Sequence, residues 1–122
     1  MRICSLDEIQ PPIISHLGEV VYEMIGLPED HGHTLQHSLA YIVIPPGKSA
    51  LAHYHRKSEE TYYILKGSAK MVIDGQPFPL RPGQACLIHP GEIHQIFSNG
   101  EQDLEFLAIS APAWVPEDSF FD

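Results

Sequence analysis

His53-Tyr54-His55 is the first arrangement in this sequence that could do chemistry. In a β-strand, residues i and i+2 point to the same face, so both imidazoles can aim at one point. Two imidazoles and a carboxylate are the usual ligands of Zn, Mn, Fe, Ni or Cu ions. Glu60 lies five residues beyond His55. Five is odd, and a continuous strand would send Glu60 to the opposite face. The chain must therefore bend or bulge across Arg56-Lys57-Ser58, which is polar enough to do so. From Glu60 onward the alternation resumes, with Glu60, Tyr62 and Ile64 on one face and the competing carboxylate, Glu59, on the other. His94 follows the Pro90-Gly91 turn and shares its face with Ile96. A lone His-x-His reads equally as a solvated surface pair or as a ligand pair. His53, His55, Glu60 and His94 together point to one divalent transition-metal ion, with Fe, Mn, Zn, Ni, Co and Cu all compatible.

The elements that must position these residues read as strands. Short apolar runs alternate with Gly and Pro punctuation, which is an all-β pattern. The first good run is Glu19 to Ile25, with Val20, Tyr22 and Met24 on one face and Glu23 on the other. Pro28 to Thr34 reads as a loop. Leu39 to Ile44 closes on Pro45-Pro46-Gly47, and Glu60 to Leu65 runs into Lys66-Gly67. Lys70 to Ile73 meets Asp74-Gly75, a strong hairpin signal. Pro77 and Pro79 confine the return strand to an edge or a bulge. Ala85 to Ile88, Ile93 to Phe97 and Leu104 to Ser110 complete the strands. One helical turn is expected near Ser5 to Ile9, with Ser5 and Glu8 as a capping box. The tail from Pro112 to Asp122 ends in Phe120-Phe121 and is expected to pack on the barrel as a strap. Strands at such spacing indicate a sandwich or barrel.

One domain is expected over residues 1–122, long enough to bury a core. A net charge of −9 with only 7 Lys and Arg repels phosphate backbones and anionic bilayers. Nucleic acid and membrane are therefore not expected as partners. No run approaches the ~20 apolar residues of a membrane span, and Met1 to Gln10 does not read as a signal peptide. Cys4 and Cys86 are expected as free thiols, with Cys86 buried in its apolar run, and cytoplasm follows as the expected compartment.

The two clusters, with Gly47, Gly67, Gly83 and Gly91 at the turns, resemble the cupin family. The first cupin motif is Gly, five residues, His-x-His, three or four residues, Glu, six residues, Gly; residues 47–67 match it in full at Gly47, His53, His55, Glu60 and Gly67. The second spans residues 83–99, where Gly83, Gly91 and His94 match. His89 stands in place of its Pro, with Pro90 adjacent, and Ser98 in place of its Asn, with Asn99 following. The resemblance implies a double-stranded β-helix, a jelly-roll barrel, holding the ion on the three His and one Glu, and a homodimer. It implies metal-dependent action on a small molecule: a dioxygenase, or an isomerase or lyase of a sugar or small acid. The alternative is a non-catalytic module that binds a sugar or carboxylate.

A spare acid or base in the cavity would separate these readings. Tyr62 is either a cavity hydroxyl or core packing. His89 is either a proton donor beside the metal strand or a turn residue. His37 either faces the cavity or ends a solvated strand. Ile64, Ile96 and Phe106 are expected to line the cavity with Tyr62. His31-Gly32-His33 reads as a surface loop, or as a lid over the barrel mouth. Tyr63 and Leu65 face outward, into a subunit interface or under the strap with Trp114 and Phe120.

Overall fold

The computed structural model describes residues 1–26 and 36–122, so His31 and His33 lie outside the described residues. Its strands in chain order are β1 (Ile13–Ile14), β2 (Val20–Ile25), β3 (Ser38–Ile44), β4 (His53–Tyr54), β5 (Glu59–Lys66) and β6 (Ala69–Ile73). They continue with β7 (Gln76–Leu80), β8 (Ala85–Ile88), β9 (His94–Ser98), β10 (Leu104–Ala111) and β11 (Phe120–Phe121). Two antiparallel sheets face each other, ordered β1-β2-β3-β10-β5-β8 and β11-β4-β9-β6-β7. This is the expected all-β jelly roll.

Burial alternates residue by residue along β3 and β10, as a half-buried strand requires. The inward set closes the core between the sheets: Ile42 and Ile44, Ile64, Met71, Ile96, Leu104 and Phe106. Each such side chain stabilises the fold by about 1.5–3 kcal/mol through burial. The Asp74-Gly75 turn has positive φ at both residues, 48° and 83°, as a tight hairpin demands. Strand β7, with Pro77 and Pro79, is an edge strand, where missing N–H groups cost no ladder bond. Near the N-terminus Leu6–Glu8 forms a 3-10 turn, and the Glu8 carboxylate accepts the Ser5 backbone N–H at 2.7 Å.

Three features depart from or refine the sequence reading. The apolar face of β2 does not point inward: the cavity takes Glu19, Val21 and Glu23 instead. The C-terminal strap adds β11 to β4, pairing Phe120 with Tyr54 and Phe121 with His53. It thus lies on the five-stranded sheet and leaves Tyr63 and Leu65, on the other sheet, 40% and 36% exposed. Cys86 is half-buried rather than buried, and both cysteines are free. No helix among the described residues is long and apolar enough to cross a membrane.

Gly67 ends β5 with φ +84°, and a Cβ there would sit 2.5 Å from the Asp103 carbonyl oxygen. Gly67→Ala combines a left-handed backbone with a backbone clash, a cost of ~2–4 kcal/mol. Thermal unfolding should show a fall of roughly 10 °C or more. An unchanged midpoint would mean that this approach of the two chain segments is not obligatory.

Candidate metal centre

Both sheets contribute to the cluster. His53 opens β4 and pairs with His94, the first residue of β9. Glu60 lies on β5 of the other sheet, opposite Ser110 of β10. One ligand atom from each of His53, His55, Glu60 and His94 can be chosen so that all lie within 4.8 Å of one another. Glu60 Oε1 is 3.3 Å from His55 Nε2 and 3.2 Å from His94 Nε2. Its second oxygen accepts the Ser110 hydroxyl at 3.1 Å. Glu60 is buried and Glu59 exposed, so Glu60 is the carboxylate of this strand that faces the cluster.

The tautomer of each imidazole follows from its other nitrogen. His53 Nδ1 lies 2.8 Å from the Leu51 carbonyl, His55 Nδ1 2.9 Å from that of Asp118, and His94 Nδ1 3.0 Å from that of Glu92. A carbonyl only accepts, so each Nδ1 carries the proton and each neutral ring presents an Nε2 lone pair. His55 Nε2, His94 Nε2 and Glu60 Oε1 are buried without a hydrogen-bond partner. Lone pairs therefore converge on a carboxylate oxygen, an arrangement costly by itself and suited to a cation. The donor set fits a divalent transition ion.

Electrostatics act differently on the members of the cluster. Burial pushes the Glu60 carboxyl up, but His55 and His94 outweigh it and hold it well below the usual carboxylate range. Burial, reinforced by His94, pulls His53 down to about 4, so this ring stays neutral. His55 is pulled down by burial but raised on balance by Glu60 and by the Asp118 carbonyl.

The bend between His55 and Glu60 has a specific staple that the sequence did not reveal. The Asp118 carboxylate accepts the backbone N–H groups of Arg56, Lys57 and Ser58 at 3.0–3.2 Å. Its backbone carbonyl holds His55 Nδ1, and the Ser58 hydroxyl donates to the Pro112 carbonyl at 2.8 Å. No local pattern could identify Asp118, because its partners lie some 60 residues away.

A cavity of about 210 Å³ opens on the cluster and is lined by His53, His55, Glu60 and Tyr62. Tyr62 is buried on its floor, its ring 6.0 Å from that of His94 and 4.7 Å from that of Phe106. Burial, with Glu60 and Glu19 nearby, raises its hydroxyl well above 10. The other two candidates are elsewhere. His37 is exposed just before β3, and Ser38 takes the cavity position. His89 is exposed on a turn, where its backbone N–H donates to Glu92. Ile64, Ile96 and Phe106 do point inward, but they fill the closed core instead of lining the cavity. Glu19 is a cavity residue that the sequence reading passed over. Burial, then the Glu60 charge, raises its carboxyl to about 7. Its signal was available in the alternation Glu19, Val21, Glu23, but an acidic face reads as solvated.

Asp118→Ala should leave three backbone donors without an acceptor and destabilise the fold by ~2–4 kcal/mol. Burial raises the Asp118 carboxyl, but the three donors outweigh it and hold it below 3.8. Its stabilisation is therefore complete above about pH 4 and lost as pH falls through the lower folded-state value. Chemical denaturation of parent and variant at pH 7 and pH 3 checks both points: the difference should shrink at the lower pH. A difference independent of pH would assign Asp118 a packing role only.

Comparison with known proteins agrees with this architecture. The family model described as "Cupin domain" matches residues 40–110. A Thermotoga maritima protein named oxalate-binding protein is 36% identical over 105 residues, covering 84% of this chain and 87% of that one. A crystal structure of a predicted oxalate decarboxylase from Thermotoga maritima superposes with TM-score 0.74 at 32% identity, covering 91% and 99% of the two chains. Quercetin 2,3-dioxygenase of Bacillus subtilis is 36% identical over 50 residues, only 41% of this chain and 15% of that enzyme. With two facing antiparallel sheets and a family match over most of their strands, this chain belongs to the cupin family.

Proposed function

We propose that this chain is a metal-dependent cupin acting on a small molecule, with one divalent transition-metal ion on His53, His55, Glu60 and His94. The observation that carries this reading is the set of three buried donor atoms without hydrogen-bond partners, aimed at one another beside a cavity. When bound, such an ion supplies Lewis acidity or O₂ activation, which serves dioxygenase, isomerase and lyase chemistry alike. The protein's own part is preorganisation. Three backbone carbonyls fix the imidazole tautomers, and Ser110 orients Glu60. Tyr62 is the one of the three candidate acid–base residues that reaches the cavity.

Binding without turnover is the second reading, favoured by the name of the Thermotoga maritima relative. Oxygen uptake, isomerisation and lyase assays over a panel of small molecules separate the two. Tyr62→Phe should retain the metal and reduce any activity by ~10²-fold or more if its hydroxyl transfers a proton. A panel with ligand binding but no turnover would establish the binding module.

Elemental analysis should find close to one transition ion per chain, and His55→Ala should lose most of it. Affinity should fall as pH drops, because protons compete for Nε2. His55 is raised above 6.5, so the loss should begin above that pH and be steep below it. Chelator competition between pH 5 and 8 measures this; full occupancy in His55→Ala, or flat affinity, would sink the ligand assignment.

A homodimer through the outer face of the six-stranded sheet is part of the same proposal. Tyr63, Leu65, Leu87 and Ile109 are exposed on the adjacent strands β10, β5 and β8. Registers Ile109–Thr61 and Thr61–Leu87 place Ile109 and Leu87 on either side of Thr61, on the face that Tyr63 and Leu65 share. Light scattering should give about twice the 13.6 kDa chain mass. Tyr63→Lys should weaken the dimer and spare the metal. A monomeric parent protein would refute the interface.

A further inference from the structure

The lining of the cavity is sorted by element. The cluster, Tyr62, the serines and the carboxyls of Glu19 and Glu23 supply its polar groups. Leu51, from the loop before β4, and Trp114 and Phe121, from the strap, supply apolar surface. Leu51 stands beside the cluster, because its carbonyl accepts the His53 Nδ1 proton at 2.8 Å. The Phe121 ring lies 6.2 Å from the His53 ring, centroid to centroid. Apolar surface therefore runs outward from the cluster itself.

Trp114 is held in place by its own polar groups. Its backbone N–H donates to Ser38 Oγ at 2.9 Å and its indole N–H to Ser119 Oγ at 2.8 Å. With both donors satisfied, the ring offers the cavity hydrocarbon surface alone. Farther out stand Ile13, 50% exposed, and Phe121, 64% exposed, and both line the cavity. Ile13 belongs to β1 and Phe121 to β11, the end strands of the two sheets. The cavity thus opens between those two edges, with an apolar residue on each lip. Exposed apolar side chains that continue an apolar wall mark a ligand groove. The cavity is small, about 210 Å³, so a ligand seated on the cluster reaches this rim with one ring or a short chain.

We propose that Leu51, Trp114, Phe121 and Ile13 form a binding subsite for the apolar body of the ligand, a single ring or a short alkyl chain, whose polar head reaches the cluster. The inference rests on the metal reading above and adds to it the part of the ligand that never touches the ion. Such a subsite sets specificity by area. Each methylene it buries strengthens binding by roughly 4-fold. A ligand that is a polar head alone gains nothing from it. An aromatic wall already fixed by hydrogen bonds also has little left to lose in ordering when the ligand arrives.

Two hydroxamates with the same head and different bodies test it: acetohydroxamate and hexanohydroxamate. The full chain is loaded with zinc, or with manganese if it refuses zinc, and titrated by calorimetry at pH 7. Metal content is measured before and after each titration. Hexanohydroxamate should bind at least ~10-fold more tightly than acetohydroxamate. Trp114 is the single tryptophan of the chain, so its emission reports the body directly. Hexanohydroxamate should shift that emission to shorter wavelength, and acetohydroxamate should leave it in place. Phe121→Ala and Ile13→Ala should each cut the affinity ratio by ~3-fold or more, with metal content and acetohydroxamate affinity unchanged. The two side chains are exposed and lie on different strands, so a folding failure in one leaves the other decisive. Equal affinities in the parent, an unmoved Trp114 emission, or an unchanged ratio in both variants would overturn the inference and leave the metal site standing. Binding of neither hydroxamate to the loaded protein would overturn it as well. Loss of the dimer in both variants with the ratio unchanged would assign the rim to a subunit contact instead. A parent protein that takes up no divalent transition ion would remove the metal reading and this inference together.

Discussion

One carboxylate from the C-terminal strap organises the loop on which the cluster depends. Asp118 draws the backbone N–H groups of Arg56, Lys57 and Ser58 onto its two oxygens, and its own carbonyl takes His55 Nδ1. That grip reverses the side-chain parity between His55 and Glu60, so both reach the same interior. Without an acceptor there, three amide groups beside a buried histidine would lose their partner, and that of Ser58, the buried one, would have the most to lose. The strap is anchored in turn by β11 on β4 and by Tyr54 stacking on Phe120. The Arg56 guanidinium lies over the same Phe120 ring, at 4.1 Å.

The two sheets divide the work. The five-stranded sheet presents His53 and His94 as partners on neighbouring strands, and the six-stranded sheet presents Glu60, backed by Ser110. Packing between the sheets then sets the separation of the donor atoms. Ile64, Ile96 and Phe106 are fully buried in the core and do not line the cavity. The cavity is lined from β2, β3, β10 and the strap, where smaller residues such as Ala40, Ala108 and Ser110 stand. A core packed to crystal density gives the site rigidity, and the small side chains give it room.

Burying carboxyls opposes stability, and the chain handles two of them differently. Glu60 is compensated by imidazoles and a hydroxyl, which keep it ionised. Glu19 is raised to about 7, a sign that its charge is poorly compensated among protein groups. Such a raised carboxyl in a cavity is more typical of a working site than of a purely structural one.

The register that brings the clustered side chains together was legible in the sequence because strand alternation and turn chemistry are local. His53 and His55 by their spacing, Glu60 over Glu59 by parity, and His94 after its Pro-Gly turn all fall where expected, as do the Asp74-Gly75 hairpin and the edge strand with two prolines. The cupin pattern of glycines and ligands made the barrel legible as well. Residues whose role depends on contacts across the chain were not legible. Asp118 acts over some 60 residues, and Glu19 and Glu23 turn inward only because β2 packs with its polar face toward the cavity. His37 and His89 carry suitable chemistry, yet the turns that hold them leave both exposed. Sequence spacing determined which atoms share a face of a strand. Only the packing of one sheet against the other, and the strap's long-range hydrogen bonds, decided which faces meet and which side chains line the space between them.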